Sequence, residues 1–221
     1  MIILIRHGEA THHTERLTGG WTDSILTPVG QKQLQLLAEK LAIDFKNKQK
    51  KPIIISSDLK RAKTSAEIIA KALGIKEVKT RSFLREKNNG DAANMKEKDA
   101  KKLYKGSLDG ENLDFVNYPG GETRRKFYNR TKVDFDRYIN DDDDYILVSH
   151  KGTIQNIIFN WLGFSIQEVY DKNFSVDILP ASISVLGINK WHEHCLFLLN
   201  DISHLNEDKG LGIFKYKFGK K

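Results

Sequence analysis

The chain has 221 residues, 39% hydrophobic and 10% aromatic, which is enough apolar material to fill a core of one large or two small domains. Its formal charge is +7 and its pI about 9.3, so anions of every kind are drawn to it. A single cysteine, Cys195, excludes an internal disulfide and a cysteine-built metal cluster, and no apolar run approaches the roughly 18 residues of a membrane helix.

Residues 1–6 lack a basic leader and a small-residue cleavage site, so they do not read as a signal peptide; a cytoplasmic protein is expected. Ile2-Ile3-Leu4-Ile5 is a continuous apolar run, the mark of a strand buried on both faces. After a polar stretch, Thr27-Pro28 opens a helix whose Leu34, Leu37, Ala38 and Leu41 share one face. Ile53-Ile54-Ile55 predicts a second strand. Ser56-Ser57-Asp58 then offers cap side chains to a helix with Ala62, Ser65, Ala66, Ile69 and Leu73, stopping at Gly74. Residues 87–119 are polar and broken, and read as a lid-like insertion over the active face rather than as a domain. A helix is expected over residues 123–138, with Phe127, Thr131, Phe135 and Tyr138 on one side. Tyr145-Ile146-Leu147-Val148 begins a third strand-corner-helix unit, whose helix carries Ile154, Ile157, Ile158, Trp161 and Leu162 and ends at Gly163. Residues 182–188 and 194–199 flank a polar turn and predict a hairpin at the sheet edge.

Strands that enter helices through tight corners imply βα units, hence an α/β chain with a mainly parallel central sheet and a single domain over 1–221. Such sheets bind ligands at the strand C-terminal ends. The corners here hold Arg6-His7-Gly8-Glu9, the segment from Ser57 to Arg61, and Ser149-His150. Two imidazoles and two guanidinium groups are costly to gather unless an anion lies among them, and Arg forks fit a tetrahedral phosphoryl group. Taken singly, each has a bland alternative: Arg61 is an ordinary helix charge, His150 a satisfied strand-end polar group. Their matching topological positions favour the phosphoryl reading. His192 and His194 could share a strand face as a metal pair, but no third ligand is evident, so they read as surface residues and no metal is expected. Lysines are scattered, including those at 215–221, and neither finger spacing nor a basic region running into heptads is present. Nucleic-acid binding is therefore not expected.

The ordered motifs resemble the histidine phosphatases, the phosphoglycerate mutase-like superfamily. Arg6-His7-Gly8-Glu9-Ala10 is similar to the opening signature. Gly20-Trp21-Thr22-Asp23, with Leu26-Thr27 and Gly30, is similar to the segment after it. Ser56-Ser57-Asp58-Leu59-Lys60-Arg61-Ala62 resembles the second arginine motif, Leu84-Arg85-Glu86 with Gly90 the segment supplying the acid, and Pro119-Gly120-Gly121-Glu122-Thr123 a further conserved stretch of that family. Val148-Ser149-His150 matches the second histidine, and Asn200-Asp201 with His204-Leu205 a common ending.

The resemblance covers nearly the whole chain and implies a three-layer α/β/α fold. It also implies a metal-independent phosphatase without cofactor, acting on a small phosphorylated metabolite through a phosphohistidine. By it His7 is the nucleophile, Glu86 the general acid and base, and Arg6, Arg61 and His150 the phosphate clamp. Neighbouring positive groups should lower the His7 pKa and keep its imidazole neutral. Three positions depart from the pattern. His13 stands where Asn is common and either donates the same hydrogen bond to phosphate or points to solvent. Gly19 replaces a frequent Thr, and Lys151 replaces a Gly and adds charge near the phosphate. The alternatives are a phosphoglycerate mutase, for which Arg124-Arg125 is not placed as the extra clamp, and a non-catalytic binding protein on the same fold. Lys96, Lys98, Lys101, Lys102 and Lys105 are expected near the lid face. A homo-oligomer is compatible with the sequence; a membrane partner is not expected.

Overall fold

The structure, a computed structural model, describes residues 1–106 and 112–205, so the lysines at 215–221 lie outside the described residues. The chain runs β1 (Ile2–Arg6), α1 (Thr11–Thr14), α2 (Pro28–Asp44), β2 (Ile53–Ser56), α3 (Lys60–Leu73), β3 (Lys79–Thr80) and α4 (Glu97–Ala100). It continues through α5 (Arg124–Tyr138), β4 (Tyr145–Ser149), α6 (Lys151–Trp161), α7 (Ile166–Asp171), β5 (Ile183–Ile188) and β6 (His194–Asp201).

The strands form one sheet in the order β3-β2-β4-β1-β5-β6. The first four of these pair in parallel, and the β5–β6 hairpin closes one edge antiparallel. Side chains alternate across a strand, and both faces of β1 are covered. Ile3 and Ile5 pack with Ile54, Ile146 and Val148 against Leu34, Leu37, Ala66 and Ile69 of α2 and α3. Ile2 and Leu4 pack with Ile55 and Leu147 against Phe135, Ile154, Ile157 and Ile158 of α5 and α6. This double burial is why the strands read as unbroken apolar runs. It yields the three-layer α/β/α architecture.

Local chemistry sets the corner after β1. The Thr27 side chain accepts from Gly30 N–H at 3.0 Å and caps α2, with Pro28 at its first position. A Cβ on Gly30 would lie 2.0 Å from the Glu9 carbonyl, so only glycine lets α2 press against this corner.

Two details differ from expectation. The residue capping α3 is Leu59, with no side-chain cap bond. Ser57 and Asp58 are committed elsewhere, Ser57 to His150 and Asp58 to Arg85. On α5, Phe127, Thr131 and Phe135 are buried, but Tyr138 is 37% exposed at the helix end, its ring stacked on Phe83. Among the described residues no helix is long and apolar enough to cross a membrane.

Candidate active site

Strand register brings the expected side chains together. Arg6 is in register with Ser149, and Ser56 with Val148, so the ends of β1, β4 and β2 stand side by side. The ladder continues one residue further: His7 N–H donates to the Ser149 carbonyl and Ser57 N–H to the Val148 carbonyl. Neighbouring strands lie about 4.8 Å apart, which forces the residues after them into contact. The His7 and His150 rings are 5.1 Å apart, and Arg61 reaches in from the first turn of α3, 1% exposed. Arg6, His7, His13, Arg61, Glu86, His150 and Lys151 all line one cavity of about 450 Å³.

The hydrogen bonds define which atoms are available. His7 Nδ1 lies 2.7 Å from the Gly8 carbonyl, which can only accept, so the proton is on Nδ1 and Nε2 keeps its lone pair. Arg61 Nε–H donates to that lone pair at 3.2 Å. The rest of the Arg61 guanidinium is fixed by the Gly20 and Thr22 carbonyls at 2.7 and 2.8 Å. Arg6 donates to the Ile178 carbonyl, yet its buried Nε–H has no partner. His150 Nε2 is 2.9 Å from the Ser57 hydroxyl, which also accepts from Leu59 N–H. Among the described residues that hydroxyl has no other acceptor for its own proton, so it donates to Nε2, which places the imidazole proton on Nδ1, a buried atom with no partner. Among the described residues, no carboxylate forms an ion pair with Arg6 or Arg61.

Electrostatics follow from this crowding. Burial first, then Arg61, His150 and Arg6, hold the His7 imidazole well below the ordinary histidine range. Burial first, then Arg61 and Arg6, does the same to His150. Desolvation lowers Arg61 to about 10. Both histidines are therefore neutral at physiological pH.

His13 faces the pocket rather than solvent. Its Nδ1 accepts from Ala10 N–H at 3.1 Å, which leaves the proton on Nε2, only 3.0 Å from the Arg6 guanidinium. Two donors meet there, an arrangement that an anion oxygen between them would relieve. Burial lowers His13 to about 4. Lys151 lines the cavity mouth, but its ammonium is paired with Asp177.

Glu86 is seated by groups that composition did not flag. Its carboxylate accepts from Lys87 N–H at 2.9 Å and from Gly152 N–H at 3.0 Å. A Cβ on Gly152 would lie 2.5 Å from that carboxylate, so any larger residue here would push the Glu86 carboxylate off its seat. The Glu86 carbonyl is held by the Trp21 indole at 2.7 Å and by Arg130 at 2.9 Å, and Arg130 in turn pairs with Glu122 at 2.6 Å. The Gly-Trp-Thr-Asp and Pro-Gly-Gly-Glu motifs thus both serve to hold the loop that carries Glu86. His12, buried beside His13 with ring centroids 4.0 Å apart, was not singled out in the sequence. It bonds Ser24 at 2.8 Å, and burial lowers it to about 3.

The part of the 87–119 segment around Met95 and Glu97 packs on the 16–22 stretch, with Thr18 N–H donating to Met95 and Glu97 N–H to Arg16. Glu97 lines the cavity, whereas Lys96, Lys98, Lys101, Lys102 and Lys105 do not. Lys96 instead binds the Glu15 carbonyl and Lys102 pairs with Asp99. His194 stacks on Trp161 at 4.0 Å, and among the described residues no three His, Cys, Asp or Glu are grouped to hold a metal ion.

The sequence matches the family description "Histidine phosphatase superfamily (branch 1)" over residues 2–201. It is 32% identical over 216 residues to the phosphoglycerate mutase-like protein 4 of Arabidopsis thaliana, covering 93% of this chain and 87% of the relative. It is 28% identical over 214 residues to the metal-independent phosphoserine phosphatase of the same plant, covering 93% and 83%. The fold is similar to that of a mycobacterial glucosyl-3-phosphoglycerate phosphatase, with a TM-score of 0.70 at 22% identity over 90% of this chain and 97% of that one. It is also similar to the alpha-ribazole phosphatase of Shigella flexneri, with a TM-score of 0.69 at 23% identity over 91% and 96%. At such identity the structural likeness is one of fold.

Proposed function

Given that this chain belongs to the histidine phosphatase superfamily, we propose that it hydrolyses a phosphomonoester through a covalent phosphohistidine on His7. The observation that carries this reading is the pair of buried N–H donors without partners, Arg6 Nε and His150 Nδ1, beside a neutral His7 with its Nε2 lone pair in the same pocket. Buried donors are retained unpaired where a ligand completes them. A phosphoryl group would take hydrogen bonds from Arg6, Arg61, His13 and His150 and would draw the Arg61 proton away from His7 Nε2.

In the first step His7 Nε2 bonds to phosphorus as the ester P–O bond breaks, and a protonated Glu86 gives its proton to the leaving oxygen. An alcohol departs. In the second step the Glu86 carboxylate takes a proton from water, whose oxygen bonds to phosphorus while the P–N bond breaks. Inorganic phosphate leaves, His7 regains its lone pair, and Glu86 is again protonated. The substrate class is a small phosphorylated metabolite of the cytoplasm, met without metal or cofactor.

Hydrolysis is favoured over isomerisation because Arg124 and Arg125 do not supply a second clamp in the phosphoryl cavity. Arg125 pairs with Asp114 and Gln167, and Arg124 stands over the Tyr170 ring. The test is a screen of phosphorylated metabolites for phosphate release, with trapping of acid-labile phosphoenzyme and a parallel 3-phosphoglycerate to 2-phosphoglycerate assay. Wild type should carry the label and His7→Ala should not. Glu86→Gln should slow alkyl ester hydrolysis about 100-fold or more, and aryl esters with good leaving groups less. Label persisting on His7→Ala, or isomerisation outrunning hydrolysis, overturns the proposal.

A further inference from the structure

A second cavity, of about 280 Å³, shares Glu86 with the phosphoryl pocket among its lining residues. We propose that this cleft is the subsite for the alcohol portion of the substrate, and that it takes an apolar ring bearing a hydrogen-bond acceptor. The inference rests on the phosphatase reading above, because it uses Glu86 as the group that meets the leaving oxygen. A leaving oxygen that takes a proton from Glu86 stands at the wall shared by the two cavities, and the body attached to it has the second cavity next to it.

The lining states what that body should be. Phe127, Phe159 and Phe174 supply aromatic surface, the last two edge to face with centroids 5.2 Å apart. Such aromatic walls gain from covering an apolar ring. Of the polar side chains that interrupt them, Asn156 is the one with a buried donor left open. Asn156 lines the cleft at 7% exposure, and its side-chain amide nitrogen has no hydrogen-bond partner. A buried amide donor left unpaired in the protein is matched by an acceptor on a ligand. Lys87 and Arg124 also line the cleft, and both are engaged, Lys87 with Asn117 and Arg124 with the Tyr170 ring.

The experiment compares benzyl phosphate with ethyl phosphate, whose leaving alcohols differ little in acidity, in the wild type and in Ser175→Trp. Ser175 is exposed and lines the cleft, so the indole fills it without entering the core. The wild type should prefer the benzyl ester by about 10-fold in kcat/KM, and the preference should collapse toward one in the variant. A wild-type ratio near one, or a preference that survives Ser175→Trp, overturns the cleft assignment and leaves the phosphatase reading standing. Binding of phenethylphosphonate and propylphosphonate, their non-hydrolysable analogues, separates the two readings. If neither ester is hydrolysed but phenethylphosphonate binds more tightly and loses that advantage in Ser175→Trp, the cleft stands and the phosphatase reading falls. Asn156→Leu tests the acceptor. It should abolish any preference for 4-carbamoylbenzyl phosphate over benzyl phosphate while leaving Tm unchanged or higher. A lower Tm with the preference intact makes Asn156 a structural residue and removes the acceptor from the proposal.

Discussion

The phosphoryl pocket and the cleft beyond Glu86 share a wall, yet they are built by opposite means. The pocket is a product of backbone register: β1, β4 and β2 end within one residue of one another, and the residues that follow them, His7, His150 and Ser57, have no freedom to separate. The cleft is a product of side chains from α5, α6, α7 and the loop after them, with no ladder between its walls. The pocket should therefore tolerate almost no substitution, and the cleft should tolerate many while changing what is bound.

The largest effect is expected at Arg61. Arg61→Lys keeps the charge but loses the planar fork that spans His7, Gly20 and Thr22. We expect kcat/KM to fall about 100-fold or more, as for loss of a preorganised donor to a developing anion. Steady-state kinetics on any accepted phosphomonoester read it. A fall under about 5-fold would mean that charge alone suffices and that the fixed geometry of the pocket does not matter.

Next comes Gly152→Ala. Its Cβ would lie 2.5 Å from the Glu86 carboxylate and 3.0 Å from the Phe127 ring, at the wall common to both cavities. We expect alkyl phosphomonoesters to lose about 10- to 100-fold in kcat, with p-nitrophenyl phosphate affected less because its leaving group needs no proton. Equal losses on both esters would show that Gly152 serves the pocket as a whole rather than the seat of Glu86.

A smaller and more specific effect is expected at Ser57. The hydroxyl orients His150 by giving its proton to Nε2, so Ser57→Ala frees the ring to take the other tautomer. We expect about a 10-fold loss in kcat/KM, and Ser57→Thr should restore most of it. The spectroscopic signature is decisive: nitrogen chemical shifts of His150 should show Nδ1–H in the wild type and a mixture in Ser57→Ala. An unchanged tautomer would make Ser57 a packing residue.

The same contrast explains what the sequence made legible. Unbroken apolar runs marked strands buried on both faces, and topology alone then carried His7, Arg61 and His150 to one sheet edge. Glu86 came only through the family resemblance, since no periodic pattern surrounds it. Ser57 looked like a helix cap because hydroxyls before a helix usually are, and its true partner is 93 residues away. Gly152 drew no reading from the sequence, because the carboxylate it seats is 66 residues distant. The lysines of the 87–119 segment were expected near the lid face, whereas among the described residues of that segment it is Glu97 that lines the pocket. Contacts between side chains that are far apart in the chain leave no local trace, and the cleft is made of little else.

The mildest perturbation is a bound anion, read by heat. His7 and His150 are depressed by burial and by Arg61, so the folded protein binds fewer protons than the unfolded chain once the pH drops below about 6.5. The sign follows directly: stability falls as pH falls through that range, by about 1.4 kcal/mol per pH unit for each such group. Sulfate, a dianion throughout, would offset the positive charge of Arg6 and Arg61 and raise both imidazoles, so its binding takes up protons and tightens as pH falls. Thermal unfolding should therefore show a sulfate-induced rise in Tm that grows from about pH 7.5 to about pH 5.5. The gain should be largely lost in Arg61→Lys. A gain that is flat or shrinks on acidification would put the anion away from the two imidazoles and overturn the claim that the ends of β1 and β4 meet at a phosphoryl site.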